Sequence, residues 1–275
     1  MPTPNWSEQQ YFPSLSIPNT KGIFDDWHVR AKATQAKLNF RADLRYGPHR
    51  REVMDFYPAV NARGCLVFIH GGYWVSFSKF ETSWVAEGFA GQGLSVALIN
   101  YPLCPEVGIG DIRSSCLRAF AHLYKNVLSA EERKAIVVTG HSAGGYLAAA
   151  HLAETWTAHG LPQDPIAGVI SLSGVFDVAP LMNTSLNLEL GLTSESAAHL
   201  NLVTAAPRCT AKLALAVGQQ ESAEFHRQST VLAQSWHGLN PQVVDLPGAN
   251  HFTVVDDLAN PDGQLNRLAV TMARR

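Results

Sequence analysis

Residues 136–153 read IVVTGHSAGGYLAAAHLA: a β-branched apolar run, a knot of glycines around one serine, then an alanine-rich stretch. Valine and isoleucine favour an extended chain and alanine favours helix, so the composition predicts a strand that turns directly into a helix at Gly140-His141-Ser142-Ala143-Gly144. That pattern is G-x-S-x-G in the strand-to-helix context it requires. So tight a turn leaves no room for bulky neighbours. It places Ser142 in a strained backbone conformation with its hydroxyl clear of the sheet, and the N–H groups that open the helix, beginning with Ala143, face any anion formed there. A serine hydroxyl is a weak nucleophile by itself. The rest of the chain must therefore bring it a base, an acid to orient the base, and donors for an oxyanion.

Outward from this turn the chain alternates. REVMDFYP (51–58), CLVFIH (65–70), LSVALINY (94–101), AIVVTG (135–140), IAGVISLSG (166–174), AKLALAVG (211–218) and QVVDL (242–246) read as strands. Helices are expected over 78–93, over GDIRSSCLRAFAHLYKNVL, from Ala143 onward and through EFHRQSTVLAQSWHG. In the second of these Ile112, Cys116, Leu117, Phe120, Leu123 and Val127 fall at helical spacing. Repeated alternation with strands rich in Val, Leu and Ile predicts an α/β fold, its mostly parallel central sheet covered by helices on both faces.

The remaining parts occur at the ends of separate predicted strands. His251 follows the last strand in DLPGANHFTVVDDL, on a loop made by Pro247 and Gly248, and is the best candidate base. His70, His141 and His151 lie in or beside the glycine loops or on the helix after Ser142. Three residues past the end of the penultimate strand at Gly218, Glu221 is the chosen acid. Glu224 suits the start of the following helix, and Asp177 and Asp245 are weaker alternatives. After the strand at 65–70, His70-Gly71-Gly72-Tyr73-Trp74 offers two backbones without side chains, close enough to donate to a tetrahedral oxyanion together with Ala143. The order serine, acid, histidine is that of the α/β-hydrolase arrangement.

The chain has 275 residues, 46% of them hydrophobic and 16% charged, with a net charge of −2. It is long enough for one large core, and a single domain is expected. Without a basic block, nucleic acid and membrane surfaces are poor partners, and a small molecule is the expected one. No apolar run is long enough to span a bilayer and the first residues carry no secretory pattern, so a cytoplasmic location is expected, as a monomer or homodimer. Cys65, Cys104, Cys116 and Cys209 have no metal-ligand spacing and read as reduced structural thiols. No HExxH or clustered His/Asp set is present, and GFAGQG (88–93) precedes a strand where a dinucleotide fingerprint follows one; neither metal nor cofactor is expected. Two segments fall outside the alternation. Residues 1–48 form an N-terminal extension with Trp6, Tyr11, Phe12, Phe24 and Trp27 ahead of an expected helix DDWHVRAKATQAKLNFRADL, able to wrap the sheet edge or roof a pocket. Residues 175–210 far exceed an ordinary βα loop and are expected to form a small cap-like insertion shaping substrate access, with a simple packing excursion as the alternative.

HGGYW, GHSAGG, SLSGVFDVAPLMNTSLN and VGQQESAEF together resemble the kynurenine formamidase (arylformamidase) group of α/β-hydrolases, with hormone-sensitive-lipase-like esterases as wider relatives, over nearly the whole chain from about Asp43. The resemblance implies Ser142 as nucleophile, His251 as base, and an oxyanion hole from the Gly71/Gly72 loop with Ala143. Many relatives use aspartate as the third member, where this chain offers Glu221. The implied reaction is hydrolysis of a formyl amide on an aromatic amine, N-formylkynurenine giving kynurenine and formate without metal. Tyr73, Trp74, Phe77 and Phe176 are candidate walls for the aromatic part. A carboxylesterase on short alkyl or aryl esters fits the same machinery, and a non-catalytic binder on a hydrolase scaffold is the distant alternative.

Overall fold

The computed structural model describes residues 4–274. Its strands are β1 (Arg41–Arg45), β2 (Val53–Tyr57), β3 (Gly64–Ile69), β4 (Leu94–Ile99), β5 (Ile136–His141), β6 (Gly168–Leu172), β7 (Lys212–Gly218) and β8 (Gln242–Leu246). They form one sheet in the order β1-β2-β4-β3-β5-β6-β7-β8. β1 and β2 pair antiparallel, as do β2 and β4; all other pairs are parallel.

Side chains alternate across a strand, so a sheet covered on both faces needs apolar residues at consecutive positions. In β3, Cys65, Val67 and Ile69 enter one core while Leu66 and Phe68 enter the other. The first core takes in helices α3 (Ile109–His122), α4 (Ala143–Ala150), α6 (Ser194–Leu200) and α7 (Ala223–Ser235), with the four-residue α5 (Asn187–Leu190) between α4 and α6 in the chain. The second is built from α2 (Thr20–Lys37), α8 (Val254–Ala259) and α9 (Gln264–Met272). All four cysteines are free and buried. No helix among the described residues is long and apolar enough to cross a membrane.

Several elements depart from expectation for local reasons. Residues 78–93 contain a 3-10 stretch, Ser83–Phe89, instead of an α-helix. Gly88 lies so close to α8 that a Cβ there would meet the Ala259 carbonyl at 2.3 Å, and Gly91 and Gly93 adopt positive φ beyond it. The helix expected from Asp25 through Leu44 begins earlier, at Thr20, and stops at Lys37. Its predicted end is the edge strand β1, irregular between Arg41 and Leu44, where Asp43 at φ 51° donates its N–H to the Asp55 carboxylate. The helix at 110–128 is α3 followed by a π-helical turn, Leu123–Val127.

The N-terminal extension crosses the C-terminal edge of the sheet as a strap. Its first helix, α1 (Trp6–Tyr11), is capped by Asn5, whose side chain accepts the Glu8 N–H, and a 3-10 turn, Pro13–Leu15, leads on to α2. Tyr11 is buried, donates to Glu224 at 2.6 Å and accepts from Gln228 at 2.9 Å. Ser222 Oγ donates to the Gln10 carbonyl at 2.6 Å, and Tyr73 Oη donates to the Tyr11 carbonyl. The 175–210 excursion braces this strap: Asn5 donates to the Asn183 carbonyl and the Ser185 N–H to Glu8. Its own apolar residues, Val175, Val178, Leu181 and Leu200 among them, fill the first core.

Candidate active site

The strand-to-helix turn has the strain that its glycines imply. Ser142 sits at φ 56°, ψ −118°, outside the regions comfortable for a side chain, between the end of β5 and the start of α4. Its N–H donates to the Leu172 carbonyl at 2.7 Å, and its carbonyl accepts from Gly145 and Tyr146. A Cβ at Gly140 would lie 2.1 Å from the Gly144 carbonyl oxygen, and one at Gly144 would lie 2.0 Å from that of Ile69. Both flanking glycines are therefore required by close backbone approach as well as by the turn.

The loops after β7 and β8 meet beside this serine. Gln219 N–H bonds the Leu246 carbonyl and Gln220 N–H that of Ala249, at 3.0 and 2.9 Å, so the acid-bearing loop is laced to the loop carrying His251. His251 Nδ1 lies 2.6 Å from Glu221 Oε2, with the two side chains 4% and 0% exposed. The other Glu221 oxygen accepts from Ser173 Oγ at 2.5 Å and from the Gly218 N–H at 2.7 Å. A carboxylate accepts, so Nδ1 carries the proton and Nε2 is left as the basic nitrogen. Three donors around one buried carboxylate offset its desolvation and hold it in a single orientation.

The Gly71-Gly72 loop closes the third side. A Cβ at Gly71 would meet the His141 carbonyl at 2.9 Å and Ser142 Cβ at 3.2 Å; Gly72 has φ 101°, and Tyr73, Trp74 and Phe77 are also left-handed. His70, stacked on Tyr101 at 4.1 Å, bonds through Nδ1 to the Gly71 carbonyl at 2.7 Å, and Tyr101 Oη donates to the His70 carbonyl at 2.8 Å. Burial lowers the His70 pKa to about 3, which keeps it neutral in this framework. Arg51 holds the far end by donating to the Phe77 carbonyl at 2.6 Å. Among the described residues no acceptor is bound to the N–H groups of Gly72, Tyr73 and Ala143.

A cavity of about 230 Å³ opens over these groups, lined by Ser142, His251, Gly72, Tyr73, Ser76, Phe77, His141 and Phe252, and by Phe12, Pro13, Ser14, Phe24 and Trp27 from the strap and α2. Of the four predicted aromatic walls, Tyr73 and Phe77 line it. Trp74 and Phe176 do not, and both are fully buried. Trp74 packs edge-on against Tyr146, and Phe176 fills the space beside Gly174. The left-handed conformation at Trp74 turns its ring inward, which residue order alone does not reveal. No residue of 175–210 lines the cavity; the strap takes the place expected of that insertion. Sequence reasoning missed Ser173, Phe252 and the contribution of His141. The only signal for the strap's role was its density of aromatic residues.

The family described as alpha/beta hydrolase fold matches residues 66–250. A protein named kynurenine formamidase from Salmo salar is 28% identical over 84% of this chain and 81% of its own length. One of the same name from Danio rerio is 28% identical over 96% and 94%. The crystal structure of a candidate thioesterase from a Silicibacter species superimposes with a TM-score of 0.86 at 30% identity, covering 96% of this chain and 97% of that one.

Proposed function

Because the chain belongs to the alpha/beta hydrolase fold family, we propose that it is a serine hydrolase of the arylformamidase type, cleaving a formyl amide on an aromatic amine, with N-formylkynurenine as the leading substrate. The observation that carries this is His251, which lines the same cavity as Ser142 and is held from behind by the buried Glu221 carboxylate at 2.6 Å.

In this reading Ser142 Oγ attacks the formyl carbon while His251 Nε2 takes the hydroxyl proton. Glu221 remains a carboxylate and stabilises the imidazolium through Nδ1. The carbonyl oxygen, now an anion, is received by the unpaired N–H groups of the Gly72 loop and Ala143; one such donor is typically worth about 3 kcal/mol of barrier lowering. Collapse breaks the C–N bond as His251 returns its proton to the departing aniline nitrogen. Water, deprotonated by the same nitrogen, then cleaves the formyl ester, giving formate and free Ser142. The transferred acyl group is one carbon, so the aromatic walls serve the leaving group.

A carboxylesterase on short aryl or alkyl esters is the second reading. It is favoured by one observation: no Lys, Arg, Asp or Glu is among the residues lining the cavity, so no such side chain there forms an ion pair with an amino-acid ammonium or carboxylate. Comparing kcat/KM for N-formylkynurenine, p-nitrophenyl acetate and p-nitrophenyl butyrate separates them. Formamide turnover at background alongside good ester turnover would leave only the esterase. Ser142→Ala should lower either activity by about 10⁴-fold or more with the fold intact, because the hydroxyl lies outside the core packing.

A further inference from the structure

We infer that His141, the residue before the proposed nucleophile, is a positioning residue that tethers the backbone of His251 and so keeps the base over Ser142 during turnover. The inference rests on the reading of Ser142 and His251 as nucleophile and base. His141 ends β5, its side chain is buried, and its Nε2 lies 2.7 Å from the His251 carbonyl oxygen. A carbonyl can only accept, so Nε2 carries the proton and the tautomer is fixed. Among the described residues no other donor reaches that carbonyl, although the neighbours of His251 are held by Asn250 and Thr253.

His251 is thereby fixed at two separate points, its ring through Glu221 and its main chain through His141. The bonds at Ala249, Asn250 and Thr253 hold the chain on either side of His251, and without the His141 bond the His251 peptide itself has only the Glu221 bond at Nδ1 to keep Nε2 from turning away from the serine. A displacement of about 1 Å at a reacting centre is enough to cost about 10²-fold in rate. His141 also meets the third part of the site, since a Cβ at Gly71 would lie 3.1 Å from its Nδ1. One side chain thus spaces the oxyanion loop, precedes the nucleophile and anchors the base. The rings of His141 and His251 are 4.8 Å apart, so a charged His141 would oppose the imidazolium that turnover requires. Burial is the largest cause holding its pKa well below the ordinary histidine value, followed by the charge on His251, and its ring stays neutral as His251 ionises.

The test compares His141→Leu, which removes the donor at similar bulk, with His141→Gln, whose amide N–H reaches to the position of Nε2. The readouts are kcat and KM on whichever ester or formamide is turned over, and the rate at which an organophosphonate labels Ser142. We expect His141→Leu to lower kcat and the labelling rate by about 10- to 100-fold with KM within about twofold, and His141→Gln to recover most of the loss. Labelling of His141→Leu at the wild-type rate would overturn the role of His141 alone, as would a loss shared equally by the Gln variant. Wild-type protein that resists labelling at Ser142 would instead overturn the nucleophile reading, and this inference with it. If the leucine variant does not fold, the imidazole ¹⁵N spectrum of the wild type decides: a neutral Nε2-protonated His141 supports the tether, and an Nδ1-protonated or charged ring rules it out.

Discussion

At Glu221 the chemistry turns on which atoms stay unprotonated. Its Oε2 takes the Nδ1 proton of His251, and Oε1 is shared between Ser173 Oγ and the Gly218 N–H. Glu221→Gln keeps the shape but presents an amide, which disfavours the Nδ1-protonated tautomer and removes the charge that balances the imidazolium. A fall of about 10²- to 10⁴-fold in kcat is expected. Ser173→Ala removes one donor of three and leaves the carboxylate less firmly held. Because hydrogen bonds to charged groups contribute about 1.5–3 kcal/mol, kcat should fall about tenfold and the unfolding free energy, from denaturant titration, should drop by about 1.5–3 kcal/mol. Equal activity of the Ala variant and wild type would show that Gly218 and His251 suffice to hold Glu221. Ser173 has φ 51°, in the left-handed region, and from there its Oγ reaches Glu221.

At the scale of elements, the strap is the part that gives the cavity its shape while carrying none of the proposed reacting groups. Phe12 lines the cavity and packs edge-on against Tyr73 at 6.2 Å, so Phe12→Ala removes wall and leaves the Ser142, Glu221 and His251 loops in place. Loss of roughly 1 kcal/mol of apolar contact predicts a KM for aryl substrates higher by about fivefold with kcat within twofold. A matched fall in kcat would mean that the strap holds the reacting groups as well. The same element shows where sequence reading stops. Strand cores and glycine turns are written locally: β3 and β5 must be apolar at successive positions, and Gly140 and Gly144 admit no Cβ. Their readings therefore carried over into the fold. The path of residues 4–19 is set instead by partners far along the chain, Ser222 on Gln10 and Glu224 on Tyr11, and no periodicity within the segment encodes them. β1 was hidden for a related reason. Its residues Arg41, Ala42, Asp43 and Leu44 sit on an exposed sheet edge without alternating burial, and they follow α2 closely enough to read as its continuation.

Across the whole molecule, three buried histidines tie stability to pH. Burial lowers the pKa of His70 to about 3 and of His151 to about 4, and drives that of His141 well below the ordinary value. Unfolded histidines bind protons near pH 6.5 while these folded ones do not, so the unfolded state holds more protons below that value and stability declines as pH falls. Between pH 6.5 and 5 each fully buried histidine costs about 2 kcal/mol, and the melting temperature should drop by on the order of 10 °C. This window lies above that of the carboxylates: against the cost of burial, Glu52, Glu87 and Glu224 have lowered pKa values, first through bonds from the His49 N–H, Lys37 and Arg227 and then from other donors, Arg118 among them, and lose their contribution only as pH falls below about 4.5. His151 is the member to remove, because it lies away from the cavity, packed between Phe120 and Trp156 with Nε2 unpartnered among the described residues. In His151→Leu one titrating group is gone, and its pH 7 to pH 5 loss of unfolding free energy, from denaturant titrations at both pH values, should be about 2 kcal/mol smaller than that of wild type. An unchanged loss would assign the acid sensitivity to other groups.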